Sequence, residues 1–223
     1  FRGFERPRRR GTQMIGKNMD KTVVLVALFA AVIAALGLIP KITLISGVPI
    51  TAQSLGIMLC GTILGARAGA QAALLFLGLT ALGLPLLAGG RGGLAVFASP
   101  SVGFLIGFPI AAFVTGWSMQ RLARLSIGPA SALAALLGGI IALYIPGVIG
   151  LSVMIDKPLL ASLALVAPFL PGDVIKVILC AVITRAIYSA RPQIVLAKSP
   201  QPAPDADAAA QAADNPPQKD EAR

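Results

Sequence analysis

The chain alternates uncharged apolar runs with short polar or glycine-rich breaks. Thr22–Ile39 is the first run, closed by Pro40-Lys41. Ala52–Ala66 is a shorter second run that ends at Arg67, and Ala68–Ala88 is the third. The glycine-rich stretch Gly89–Pro100 interrupts the pattern before a fourth run, Ser101–Gln120, which ends at Arg121 and Arg124. Ala130–Ile155 is the fifth, closed by Asp156-Lys157-Pro158. The last stretch, Leu159–Ile187, is broken by Pro168, Pro171 and Gly172. A sixth helix is therefore predicted from about Gly172 to Ser189, with Leu159–Pro171 an outer loop or partial helix. Runs near 20 apolar residues match the thickness of a bilayer's hydrocarbon core. Inside it a lone segment satisfies its own backbone only as a helix. The pattern predicts an all-α membrane protein with six transmembrane helices.

Composition agrees with this reading. Hydrophobic residues make up 56% of the 223 and charged residues 13%, and the mean hydropathy is +0.83. Soluble domains carry about twice that share of charge. The formal net charge of +10 does not point to nucleic acid, because the Lys and Arg flank apolar runs. They also fall unevenly. Seven lie in the N-terminal segment through Lys21; Arg67, Arg121, Arg124, Arg185, Arg191, Lys198, Lys219 and Arg223 bring that side to fifteen. The other connections hold three, Lys41, Arg91 and Lys157, and Lys176 sits inside the last helix. The positive-inside rule then puts both termini in the cytoplasm. Residues 1–18 are basic and lack apolar periodicity. They read as an expression remnant or a misplaced start, with Met19 the expected start, and no cleaved signal peptide is expected. Residues 19–191 form the transmembrane domain. Residues 192–223 are expected to be a disordered cytoplasmic tail, without a large apolar residue from Ser199 onward.

Candidate chemistry gathers on the outer side of this topology. Asp173 and Lys176 fall in the first turn of the last helix and, three apart, share a face. An ionisable residue within a spanning segment is a site hypothesis; the structural alternative is an interfacial ion pair with helix capping. Gly89, Gly90, Gly92 and Gly93 surround Arg91. Glycine lets backbone approach a ligand, and an arginine there could hold a carboxylate bidentately; the alternative is a plain turn. Gln53 is a third outer polar group. Ala27, Ala31 and Ala35 form a small-residue stripe on the first helix, which suits either packing within the chain or docking of another membrane subunit. Cys60 and Cys180 lie in apolar segments and read as small buried hydrophobes. The chain has no His, and no metal site or cofactor is expected. There is no phosphate-binding loop, hydrolase elbow or catalytic constellation, so no catalytic residue is assigned and an enzyme is disfavoured. A stand-alone secondary transporter would show coupling residues nearer the bilayer centre.

Three blocks carry a family resemblance. Gly47–Gly61 reads GVPITAQSLGIMLCG, close to VP-x-T-x-Q before an apolar helix. Gly83–Phe108 reads GLPLLAGGRGGLAVFASPSVGFLIGF, close to GLPVFAGG-x-GG followed by GPTGGYLLGF. Phe169–Ile178 reads FLPGDVIKVI, close to LPGD-x-x-K. Over roughly Asp20–Tyr188 the chain resembles the biotin-specific substrate-binding (S) components of energy-coupling factor transporters, the BioY family. It departs at Ser99, Ser101, Val102 and Phe104, where the family often has Gly, Thr, Gly and Tyr; Phe104 is given no polar role. The resemblance implies an S-component bundle in the bacterial inner membrane, with one biotin site formed by the third-to-fourth connection and the start of the last helix. It also implies a membrane coupling (T) protein and ATP-binding cassette ATPases as partners; a homo-oligomer stays open. Asp173 could accept from ureido N–H groups, and Lys176 or Arg91 could meet the carboxylate or the ureido oxygen. The sequence does not choose between these poses.

Overall fold

Each apolar run forms a helix in the computed structural model, which describes residues 10–43 and 48–198. We label them α1 (Arg10–Leu36), α2 (Gln53–Leu64), α3 (Ala66–Ala81), α4 (Val102–Arg121), α5 (Ile127–Met154) and α6 (Leu170–Ala190). A short helix, Leu159–Val166, and a 3-10 turn, Ala167–Phe169, lead into α6 without a loop. Val102–Arg121, Ile127–Met154 and Leu159–Ala190 are long and apolar enough to cross a membrane; the other three apolar helices are shorter. One antiparallel ladder of two residues per strand, β1 (Ile42–Thr43) with β2 (Pro49–Ile50), folds the first connection back on itself.

Several boundaries differ from the expected ones; α3, for one, stops at Ala81, well short of the end of its apolar run at Ala88. α6 begins at Leu170 rather than Gly172, because a proline in the first turn gives up an N–H that has no intrahelical partner anyway. The segment before it, expected as a loop or a partial helix, is helical. α1 runs down to Arg10, through part of the basic segment that lacks an apolar pattern; residues 1–9 lie outside the described ones. The expected tail starts too early: Pro192–Ile194 and Leu196–Lys198 form helical turns. Val195 and Ala197 are buried, and Ala197 packs with Met119, Ala130 and Ala134. Small apolar side chains gain burial there that no local pattern announces. Residues 199–223, where the disordered tail was expected, lie outside the described residues.

The packing suits lipid rather than water. Along α6, Val174, Ile175, Ile178 and Val182 are exposed while Asp173, Cys180 and Thr184 are buried. Polar atoms inside and aliphatic ones outside is the reverse of a water-soluble helix. The interior polar groups find one another: Thr62 Oγ1 lies 2.9 Å from Thr184 Oγ1 and 3.6 Å from Cys180 Sγ. α2 is buried along its whole length, enclosed by α1, α4 and α6. α4 packs against both α3 and α5. The α4–α5 crossing is close because Gly103 meets α5 directly; a Cβ there would strike the Pro146 carbonyl and lie 2.9 Å from the Gly150 Cα.

Candidate binding site

The breaks in the apolar pattern converge at one end of the bundle. The strand Pro49–Ile50, the start of α2, the third-to-fourth connection and the starts of α4 and α6 all reach a cavity there. It holds about 590 Å³ of atom-free space, counting its open mouth. The opposite end is marked by the turn at Gly65, where Gln120 from the end of α4 and Ala197 from the last helical turn meet.

The cavity's wall is apolar and aromatic. Phe104 stands edge-on to Tyr144, with ring centroids 6.0 Å apart, and 6.3 Å from Phe169. The Gly103 crossing brings α4 near enough to α5 for that first pair to form. Leu87, Leu105, Phe108 and Leu143 continue the wall.

Against it stands one polar cluster. Asp173 Oδ1 accepts from Lys176 Nζ at 2.9 Å and Oδ2 from the Tyr144 hydroxyl at 2.7 Å. Lys176 Nζ also donates to Ser54 Oγ at 2.9 Å. The side chains of Lys176 and Asp173 are only 13% and 8% exposed. The expected ion pair is present, while capping is not: α6 starts three residues before Asp173, and its N-cap is Phe169. A carboxylate has about four acceptor positions and an ammonium three protons. The pair therefore keeps capacity for a ligand after its internal bonds are made.

The structure brings Asp173, Lys176, Arg91 and Gln53 to this one cavity. The four glycines do not line it; they shape the turn that carries Arg91. Leu87 and Arg91 exchange backbone hydrogen bonds of 3.0 and 3.2 Å, and Gly89 and Gly90 make the reversal with φ of +80° and +70°, a region costly for side-chain-bearing residues. Arg91 Nε makes one long bond, 3.5 Å to the Ala88 carbonyl; its terminal nitrogens make none among the described residues. Gln53 is 1% exposed, and its amide is committed to backbone: Nε2 donates to the Ile33 and Leu86 carbonyls at 3.2 and 3.0 Å, and Oε1 accepts from Ala88 N–H at 3.2 Å. Ala27, Ala31 and Ala35 are exposed on α1, away from the cavity. Tyr144, Ser54, Thr51 and Ser101 are polar cavity-lining residues that the sequence reading did not assign to the site. A single aromatic residue, and a phenol, in the apolar α5 run was the available signal for Tyr144. Of the departures from the family pattern, Ser101 and Phe104 face the cavity.

Three comparisons with known proteins bear on the chain as a whole. The BioY family model matches residues 12–193. The biotin transporter BioY of Rhodobacter capsulatus is 48% identical over 189 residues, covering 81% of this chain and all of the relative. That of Rhizobium etli is 48% identical over 182 residues, 77% of this chain and 95% of the relative. Among solved structures, the S-component for biotin from an ECF-type ABC transporter, a crystal structure at 2.1 Å, matches with a TM-score of 0.72 and 35% identity. The match covers 82% of this chain and 95% of that one.

Proposed function

The chain belongs to the BioY family, and on that premise we propose that it captures biotin in this cavity as the substrate-specific subunit of an uptake system. The observation that carries the reading is a partly buried, hydrogen-bonded Asp173–Lys176–Tyr144 cluster facing an aromatic wall. Biotin offers matching chemistry: ureido N–H donors, an apolar ring and chain, and a carboxylate. Lys176 is already bonded to Asp173 and Ser54, whereas the terminal nitrogens of Arg91 make no such bond among the described residues. We therefore assign the ureido end to Asp173 and Tyr144, and the carboxylate to Arg91, whose planar fork suits a bidentate contact.

Energy for uptake would come from outside the chain. We propose a membrane coupling protein and ATP-binding cassette ATPases as partners, with the exposed Ala27, Ala31 and Ala35 face of α1 as the docking surface. The setting would be the bacterial inner membrane. A self-sufficient carrier needs ionisable groups that relay a coupling ion. Among the described residues of α2 to α6, the helical charges at the cavity end are Asp173 and Lys176, and they bond each other, while Arg67, Arg121 and Arg185 lie toward the opposite end.

The test is isothermal titration of the purified chain. We expect one saturable biotin site and no heat with riboflavin or thiamine. Heat with either of those vitamins and none with biotin would overturn the ligand assignment.

A further inference from the structure

Gln53 sits in the cavity wall, yet its amide is spent elsewhere. The last turn of α1 tightens, with Gly37 N–H bonding Ala34 O, Leu38 N–H bonding Ala35 O and Ile39 N–H bonding Leu36 O. Ile33 O thereby loses the bond from Gly37 that a regular turn would supply. Gln53 Nε2 supplies it instead. Its other amide proton goes to Leu86 O, and its oxygen takes Ala88 N–H. All three contacts are backbone groups, two of them flanking Leu87, which lines the cavity. The partners also fix the amide's orientation, since two carbonyls must face nitrogen and one N–H must face oxygen. Gly37 makes room: a Cβ there would lie 2.8 Å from Gln53 Nε2 and 2.6 Å from Leu86 O.

We infer that Gln53 is a positioning residue, a clamp that fastens the Leu87–Arg91 hairpin to the outer end of α1 and so holds Arg91 over the bound ligand. Its effect on binding rests on the biotin reading; its effect on the hairpin does not. A clamp acts after the ligand has entered, so it governs escape more than arrival. Arg91 then depends on Gln53, and the two are energetically coupled rather than independent.

The experiment has two arms on the full-length chain. In the first, amide hydrogen exchange is followed without ligand in Gln53→Met, which keeps the side chain's length and removes its hydrogen bonds. Exchange across residues 86–91 should rise at least about tenfold while the middle of α4 is unchanged, the signature of local opening. In the second, biotin dissociation from Gln53→Met should be at least about tenfold faster, with association altered far less. Adding Arg91→Gln to Gln53→Met should cost less than it does in the wild type. Gly37→Ala, which pushes on the same junction from α1 and deletes no polar group, should reproduce both effects and serves if Gln53→Met fails to fold. Unchanged exchange in residues 86–91 overturns the clamp. So does faster exchange with unaltered biotin dissociation, or strict additivity with Arg91→Gln. Absence of biotin binding in the wild type, with the exchange response intact, would strike the ligand assignment and leave the clamp standing.

Discussion

Asp173 holds two internal donors, Tyr144 and Lys176, from inside a wall of aromatic rings. Replacing it with Asn keeps the shape and removes the charge. The new amide oxygen can still face Lys176 and its nitrogen can donate to the Tyr144 oxygen, so the fold should survive. Lys176 would then lose its counter-charge in a site where its side chain is 13% exposed, and ligand N–H groups would meet a neutral acceptor. A charge-assisted hydrogen bond is worth about 1.5–3 kcal/mol. We expect Asp173→Asn to weaken biotin binding at least about tenfold, or about 1.4 kcal/mol. Affinity should be measured beside thermal unfolding without ligand; unchanged affinity with a lowered melting temperature would make Asp173 purely structural. Asp173 and Lys176 were legible in the sequence because charges inside apolar runs demand a reason. Tyr144 was not, since a phenol is cheap to place in an apolar helix and only the fold brings it to Asp173. Gln53 was legible as a polar residue at the right end, but its partners are backbone groups 20 and more positions away in sequence, which no local pattern encodes.

At the scale of helices, the alanine stripe is the feature that the chain does not use internally. Phe29, Ala30 and Ile33 turn α1 into the bundle, while Ala27, Ala31 and Ala35 face outward. Helices in lipid associate through close packing of small residues. Ala31→Trp should therefore leave biotin affinity intact and reduce copurification with the proposed coupling protein; undiminished assembly would remove α1 as the docking surface. The existence and order of the helices were readable because each apolar run had charged, proline or glycine stops. Their ends were less so. Pro171 reads as a breaker but is accommodated in the first turn of α6, and the short Ile194–Ala197 stretch looks like tail until its contacts with α4 and α5 exist. The glycine-rich break was visible as special backbone, yet its reason is the reversal at Gly89 and Gly90 rather than contact with the cavity.

For the whole molecule, charge and architecture point in one direction. Arg67, Arg121, Arg124, Arg185 and Arg191 are exposed, and they belong to the end opposite the cavity. Half-exposed Trp117 has the Arg121 guanidinium 4.9 Å from its ring centroid, a pairing suited to the interfacial belt of a membrane. By the positive-inside rule we expect that end to be cytoplasmic and the cavity to open outward. A topology reporter inserted after Lys198 should be active only in its cytoplasmic form; activity of an exported reporter there would invert the arrangement. The fully buried α2 has a consequence for biogenesis. Its 12 residues, Gln53–Leu64, make a rod about 18 Å long, against a hydrocarbon core of about 30 Å. Such a segment is a poor candidate for partitioning into lipid alone as it leaves the ribosome. Joined to α3 by the single residue Gly65, it is suited to enter as half of a hairpin, and its solvent thereafter is neither water nor lipid but the rest of the polypeptide.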